Sequence, residues 1–185
     1  MKQNDKNYVQ KLSIGGLLLA IGILLPKVFH MMGQPALGQM FLPMHLGVFI
    51  AGLFLGKYYG LWIGFLTPLL NSLFGMPMFP MNIIMAFELG AYGFFSGLFM
   101  EMYLLSKITV LGKNLKLHIS LILSMLVGRI VYSLALLTAG ELFGLEVPKP
   151  VSIIAATISG IPGILLQLIL IPIIVFALDK STNKR

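Results

Sequence analysis

The sequence has no cysteine. That excludes disulfides, thiolate metal sites and a cysteine nucleophile. Charge is scarce too: Asp, Glu, Lys and Arg make up 10% of 185 residues, where a soluble domain carries roughly 25%. A chain this poor in charge cannot cover a water-facing surface. There is no Gly-rich loop ending in Lys-Ser/Thr, so the chain brings no ATP-hydrolysing loop of its own. The metalloprotease pattern His-Glu-x-x-His and the nucleophile elbow Gly-x-Ser-x-Gly are missing as well. So are low-complexity tracts, detectable repeats, lipidation signals and any linker long enough to separate domains. Residues 1–185 are read as a single domain.

What is present is apolar. Hydrophobic residues make up 58% of the chain, and the mean hydropathy is +0.95. The expected fold class is an all-α integral membrane protein. Its 20 Gly and 10 Pro are ordinary in membrane helices. Apolar runs of about 20 residues mark helical spans. They predict spans near 12–29, 44–56, 58–74, 80–105, 115–139 and 151–178. The second and third come from one long apolar stretch, His45 to Gly75. As a single helix it would measure about 46 Å against a hydrocarbon core of about 30 Å, and it would bury Lys57. Gly56-Lys57-Tyr58-Tyr59-Gly60 reads instead as a turn between two short helices.

Charge placement tests that division. With six spans and both termini cytoplasmic, ten basic residues fall inside: Lys2, Lys6, Lys11, Lys57, Lys107, Lys113, Lys116, Lys180, Lys184 and Arg185. Lys27 and Lys149 fall outside, and Arg129 lies within a span. Five spans would put four inside and seven outside. The positive-inside rule selects six. The net charge of +7 then reflects topology, with the lipid bilayer and its anionic headgroups as the partner and no nucleic acid required. Lys2, Lys6 and Lys11 before Leu12–Leu25 resemble the start of a signal peptide, but no small-x-small cleavage site follows, so this segment is read as a retained span.

Two formal charges lie deep. Counting helical rise, Glu88 is roughly 12 Å from the outer end of span four and Arg129 roughly 16 Å from that of span five. Each alone costs at least about 2.5 kcal/mol at the bilayer centre, so they are expected to face each other inside the bundle. They form either a structural ion pair that fixes helix register or part of a ligand pocket, and intramembrane charges default to function. Weaker polar groups gather in the same outer half: His45, Thr67, Asn71, Asn82 and Tyr92, the last one turn from Glu88. The short loop Gly75–Pro80 is expected to hold Asn71 and Asn82 near each other. Singly these are caps or interhelical hydrogen bonds; together they suggest a pocket open to the outside. Gln167 is expected further towards the cytoplasm, as interhelical glue or a ligand contact. The segment from His30 to Pro43, with Gln34 and Gln39, reads as a lid or an ordinary connection. Gly16 and Ala20, four apart on span one, form a small-xxx-small face for close helix approach. No cofactor is expected. The three histidines, His30, His45 and His118, lie on different sides of the membrane and cannot share a metal.

The stretch Leu42-Pro43-Met44-His45-Leu46 is followed by Ala51-Gly52, Gly56-Lys57-Tyr58-Tyr59-Gly60, Gly64-Phe65-Leu66-Thr67-Pro68-Leu69-Leu70, Gly75-Met76-Pro77 and Met85-Ala86-Phe87-Glu88-Leu89. With Gly128-Arg129 downstream and the small-residue face on span one, the chain resembles a substrate-binding (S) component of the energy-coupling factor vitamin transporters. The resemblance covers essentially the whole chain and is most specific from Leu42 to Gly93. It implies an outward-facing vitamin pocket, no enzymatic activity, and docking on a membrane coupling protein driven by two cytoplasmic ATPases in the bacterial cytoplasmic membrane. In the proposed cycle the S component topples to release its ligand inside. The docking face would be Gly16 and Ala20, where the family pattern has two alanines. The nearest subset is that assigned pantothenate, hydroxymethylpyrimidine or α-ribazole. Arg129 suits a carboxylate and slightly favours pantothenate. The cobalt and nickel members begin Met-His, whereas this chain begins Met1-Lys2, which argues against metal transport. Two readings from other classes stand beside this one: a small intramembrane enzyme using His45 and Glu88, and a structural membrane partner that binds no ligand.

Overall fold

The computed structural model describes residues 3–31, 40–102, 113–148 and 152–182, and the regular elements among them are all helical. They are α1 (Gln3–Met31), α2 (Pro43–Ile50, continued by a π-helical turn Ala51–Leu55), α3 (Lys57–Ser72), α4 (Met81–Glu101), α5 (Lys113–Leu137, continued by a π-helical turn Thr138–Leu142), α6 (Ser152–Ser159) and α7 (Ile161–Thr182). Among the described residues four stretches are long and apolar enough to cross a bilayer: Tyr8–Val28, Met81–Glu101, Leu115–Leu142 and Ile161–Ser181. Pro43–Leu55 is a shorter apolar helix.

The long apolar stretch divides at Gly56, whose φ of 105° would strain any side chain. The turn is tighter than the sequence suggests. Lys57 to Gly60 already form the first turn of α3, with the Gly60 N–H donating to the Gly56 carbonyl at 3.0 Å. The 8 residues of α2 and the 5 of its π-helical turn rise about 20 Å, less than the bilayer core. This helix has little lipid to face: Val48, Phe49, Ile50 and Ala51 are all buried, and it runs through the middle of the bundle.

Glycines set the spacing of the central helices. A Cβ on Gly60 would overlap the carbonyl of Gly93, and one on Gly64 the carbonyl of Leu89, so α3 and α4 cross backbone against backbone. A Cβ on Gly52 would strike Ser96 and Gly93, which holds α2 in the same crossing. On the other side of α2, a Cβ on Gly47 would lie 2.7 Å from the carbonyl of Leu18 in α1. Leu117 and Leu121 of α5 and Ile171 and Val175 of α7 complete the core with Leu89 and Tyr92 of α4. The exposed side chains of Leu17, Leu24, Leu126, Ile130, Leu134, Ile169 and Ile173 give the bundle an apolar exterior.

The sixth predicted span is not one rod. It divides into α6 and α7 at Gly160. Pro162 stands in the first turn of α7, where its missing N–H costs no helical bond. The break sets the helix on which Gln167 lies. Counted along an unbroken helix from Val151 it lies further towards the cytoplasm than the outer polar residues. In the structure it is in the second turn of α7, with its amide on the carbonyl of Leu42 at the start of α2.

Candidate functional site

Two groups of buried polar residues link helices, with Ser96, Ser120, Ser124 and Gln167 outside both. One joins α1 to α3. Pro26 lies inside α1 and has no N–H, so the Gly22 carbonyl four residues earlier loses its helical donor. Asn71 of α3 supplies a replacement: its Nδ2 donates to the Gly22 carbonyl at 3.1 Å and to the Thr67 carbonyl at 3.0 Å. One turn earlier, Thr67 Oγ1 donates to the Ile63 carbonyl at 2.6 Å. The Thr67 methyl would lie only 3.0 Å from a Cβ on Gly22, so α1 comes close here. Above this joint Lys27 Nζ sits 3.1 Å from the centre of the Phe74 ring.

The second group lies between α2, α4 and α5, and it holds the two deep charges. Arg129 Nη1 reaches Glu88 Oε1 at 3.2 Å. Tyr92, one turn along α4, donates its hydroxyl to the same Oε1 at 2.8 Å. Glu88 and Tyr92 are both buried, while the Arg129 side chain is 20% exposed. The Tyr92 ring lies 5.3 Å from that of His45 and 5.0 Å from that of Phe49, both on α2. His45 is buried, and its Nδ1 makes no hydrogen bond among the described residues. An unsatisfied buried polar atom costs about 1–3 kcal/mol, so it marks a place where partners are in short supply.

Two residues of this group were not expected from the sequence. Gly128 leaves the space that the Tyr92 ring fills; a Cβ there would run into the ring. Tyr132, one turn beyond Arg129, is mostly buried and lies close enough to interact electrostatically with Glu88 and Arg129. The spacing of Gly128, Arg129 and Tyr132 on one helix is visible in the sequence, but what faces them across the interface is not.

The expected site residues are thus divided. His45, Glu88, Tyr92 and Arg129 are brought together. Thr67 and Asn71 are buried but engaged in the α1–α3 joint. Asn82 does not share a pocket with Asn71: its Oδ1 accepts from the adjacent Ile83 N–H at 2.8 Å, a local bond near the start of α4. Gln167 Nε2 donates to the Leu42 carbonyl at 3.2 Å and borders a small hollow, about 80 Å³, lined also by Leu25, Phe41, Pro43, Leu46 and Leu170. Gln34 and Gln39 lie outside the described residues. On α1, Gly16 is exposed, with nothing within 4 Å of where a Cβ would stand, and Ala20 is half-buried. That small-residue face is not used up by packing within the described chain.

Chemically, the α2–α4–α5 cluster offers a guanidinium tied to its partner at one point, a carboxylate, a phenol and an imidazole nitrogen. Each of these groups is able to hydrogen-bond a polar molecule inside an apolar bundle. Among the described residues no group of three His, Cys, Asp or Glu could hold a metal ion. His45 and Glu88, the pair considered for an intramembrane enzyme, meet through Tyr92 rather than directly.

No curated protein and no solved structure matches the chain. The family described as "ECF transporter, substrate-specific component" matches residues 10–178. Its members are the substrate-binding parts of membrane importers and are not themselves ATPases. This all-helical membrane protein therefore belongs to the family of ECF transporter substrate-specific components.

Proposed function

We propose that the chain is the high-affinity binding subunit for a vitamin or vitamin precursor in an energy-coupling factor importer of the bacterial cytoplasmic membrane, with pantothenate the favoured ligand. The carrying observation is the cluster His45, Tyr92, Glu88 and Arg129. Arg129 meets Glu88 through Nη1, and a guanidinium has five N–H donors. A ligand carboxylate would take donors that Glu88 does not use. His45 Nδ1 and the Glu88 carboxylate would meet hydroxyl or amide groups of the same ligand. Six spans with both termini cytoplasmic put this cluster in the outer half of the bilayer, as positive-inside charge placement requires. Gly16 and Ala20 would dock on a membrane coupling protein driven by two cytoplasmic ATPases. The open space over Gly16 supports that use.

The test is thermal stabilisation of the purified chain against a panel of B vitamins and their precursors. A ligand at 100 times its dissociation constant adds about 2.7 kcal/mol to the folded state. A selective shift with pantothenate supports the full reading. A selective shift with another member corrects the ligand only. No shift across the panel, with well-folded protein, removes the vitamin reading.

A further inference from the structure

Leu42 stands immediately before α2 with φ 49° and ψ 49°, left-handed values that a residue with a side chain seldom adopts. Strain of this kind persists only where the surroundings enforce it, and here they come from a distant part of the chain. The Leu42 carbonyl accepts from the His45 N–H at 3.1 Å and from Gln167 Nε2 at 3.2 Å. Gln167 is 2% exposed, so its amide has been drawn out of reach of solvent to make that bond. One turn earlier on α7, a Cβ on Gly163 would sit 2.5 Å from the Met40 carbonyl oxygen and 2.8 Å from the Phe41 carbonyl carbon. Pro43 follows and begins the helix. Residues 40–43 are therefore fastened to α7 by one amide and one glycine, and three residues past the strained position comes His45, its ring 5.3 Å from that of Tyr92 and tilted to it by 51°.

We infer that Gln167 is a positioning residue and not a ligand contact: it clamps the start of α2 to α7 and so fixes where His45 stands in the cluster. The inference rests on the proposed binding site for its functional consequence but not for its geometry. In equilibrium terms the clamp connects α7 to the cluster through Leu42, His45 and Tyr92. Loosening it lets the left-handed turn relax and moves the His45 ring away from Tyr92.

The absence of cysteine makes the test direct. Met40→Cys, at a position 36% exposed, gives one attachment point for a nitroxide label in the full chain reconstituted in lipid. In this background Gln167→Met keeps the length of the side chain and removes its donor. The clamp predicts a sharper, more mobile spectrum with Gln167→Met. It also predicts dissociation of bound pantothenate faster by roughly fivefold, the weight of one ordinary hydrogen bond. Gly163→Ala, which crowds residues 40 and 41 while leaving the amide in place, should mobilise the same label and serves if Gln167→Met does not fold. Arg129→Gln, which alters the cluster but not the clamp, should leave the spectrum unchanged. An unchanged spectrum in folded Gln167→Met overturns the inference, as does an unchanged spectrum in Gly163→Ala where Gln167→Met does not fold. So does weakened pantothenate binding in Gln167→Met without any change in mobility, since that makes Gln167 a ligand contact. If the label is mobilised but pantothenate binds to neither form, the clamp stands and the ligand assignment fails.

Discussion

The α1–α3 joint and the α2–α4–α5 cluster both bury polar side chains in an apolar bundle, yet they differ in how their hydrogen-bonding capacity is used. At the joint, Asn71 donates twice, one of those bonds to the carbonyl that Pro26 leaves without a helical donor, and Thr67 is bonded within its own helix. In the cluster, Tyr92 and Arg129 converge on one oxygen of Glu88, and His45 Nδ1 makes no bond among the described residues. Buried polarity with its bonds satisfied locks helices together. Buried polarity with capacity left over costs stability, a cost that the proposed ligand would recover.

That contrast can be broken by mutation. The largest effect is expected at the ion pair. Glu88→Leu alone strands the guanidinium and should destabilise the protein by about 3–5 kcal/mol, read by denaturant titration in detergent. The double change Glu88→Leu with Arg129→Leu should regain most of that stability, because an apolar replacement of a buried pair is often close to neutral, while ligand binding is lost. Next comes Gly128→Ala, which drives a methyl into the Tyr92 ring. Overpacking of this kind costs about 1–3 kcal/mol, and ligand affinity should fall with it. At the joint, Asn71→Leu should cost about 1–3 kcal/mol by leaving the Gly22 carbonyl unpaired, with ligand affinity unchanged. Combining it with Pro26→Ala restores a backbone donor to that carbonyl, so a double-mutant cycle should show favourable coupling of at least about 0.5 kcal/mol. The smallest effect belongs to the partly exposed Lys57–Glu101 pair, 2.8 Å apart. Lys57→Met should leave the denaturation midpoint almost unchanged, because a pair open to solvent is screened. A joint variant that abolishes binding, or a cluster variant that does not affect it, would erase the distinction between the two regions.

Several features of this arrangement could be read without coordinates. The cost of burying Glu88 and Arg129 forces them to meet, and similar depth on neighbouring spans makes the meeting possible; the ion pair follows. Tyr92 follows from helical spacing, and the division at Gly56 from the length of the apolar run and the position of Lys57. Other features depend on partners that a single chain of letters does not display. Pro26 identifies Gly22 as a carbonyl in need of a donor, but not that Asn71 supplies it. Asn82 has the same side chain and a similar apparent depth, yet it bonds to the neighbouring backbone. Counting along one unbroken span does not show that α7 begins anew after Gly160, nor that Gln167 meets the Leu42 carbonyl. The niche that Gly128 provides for Tyr92 exists only once α4 and α5 are packed together.

The central claim is that the cluster is a ligand site and not only a pair that fixes helix register. Its most direct test is equilibrium binding of the ligand found by the vitamin panel, compared between the unaltered chain and the folded Glu88→Leu, Arg129→Leu double variant. The account predicts saturable binding to the first and none to the second at the same concentrations, with both proteins of similar stability. Equal affinity in the two would contradict it and leave Glu88 and Arg129 as a structural pair.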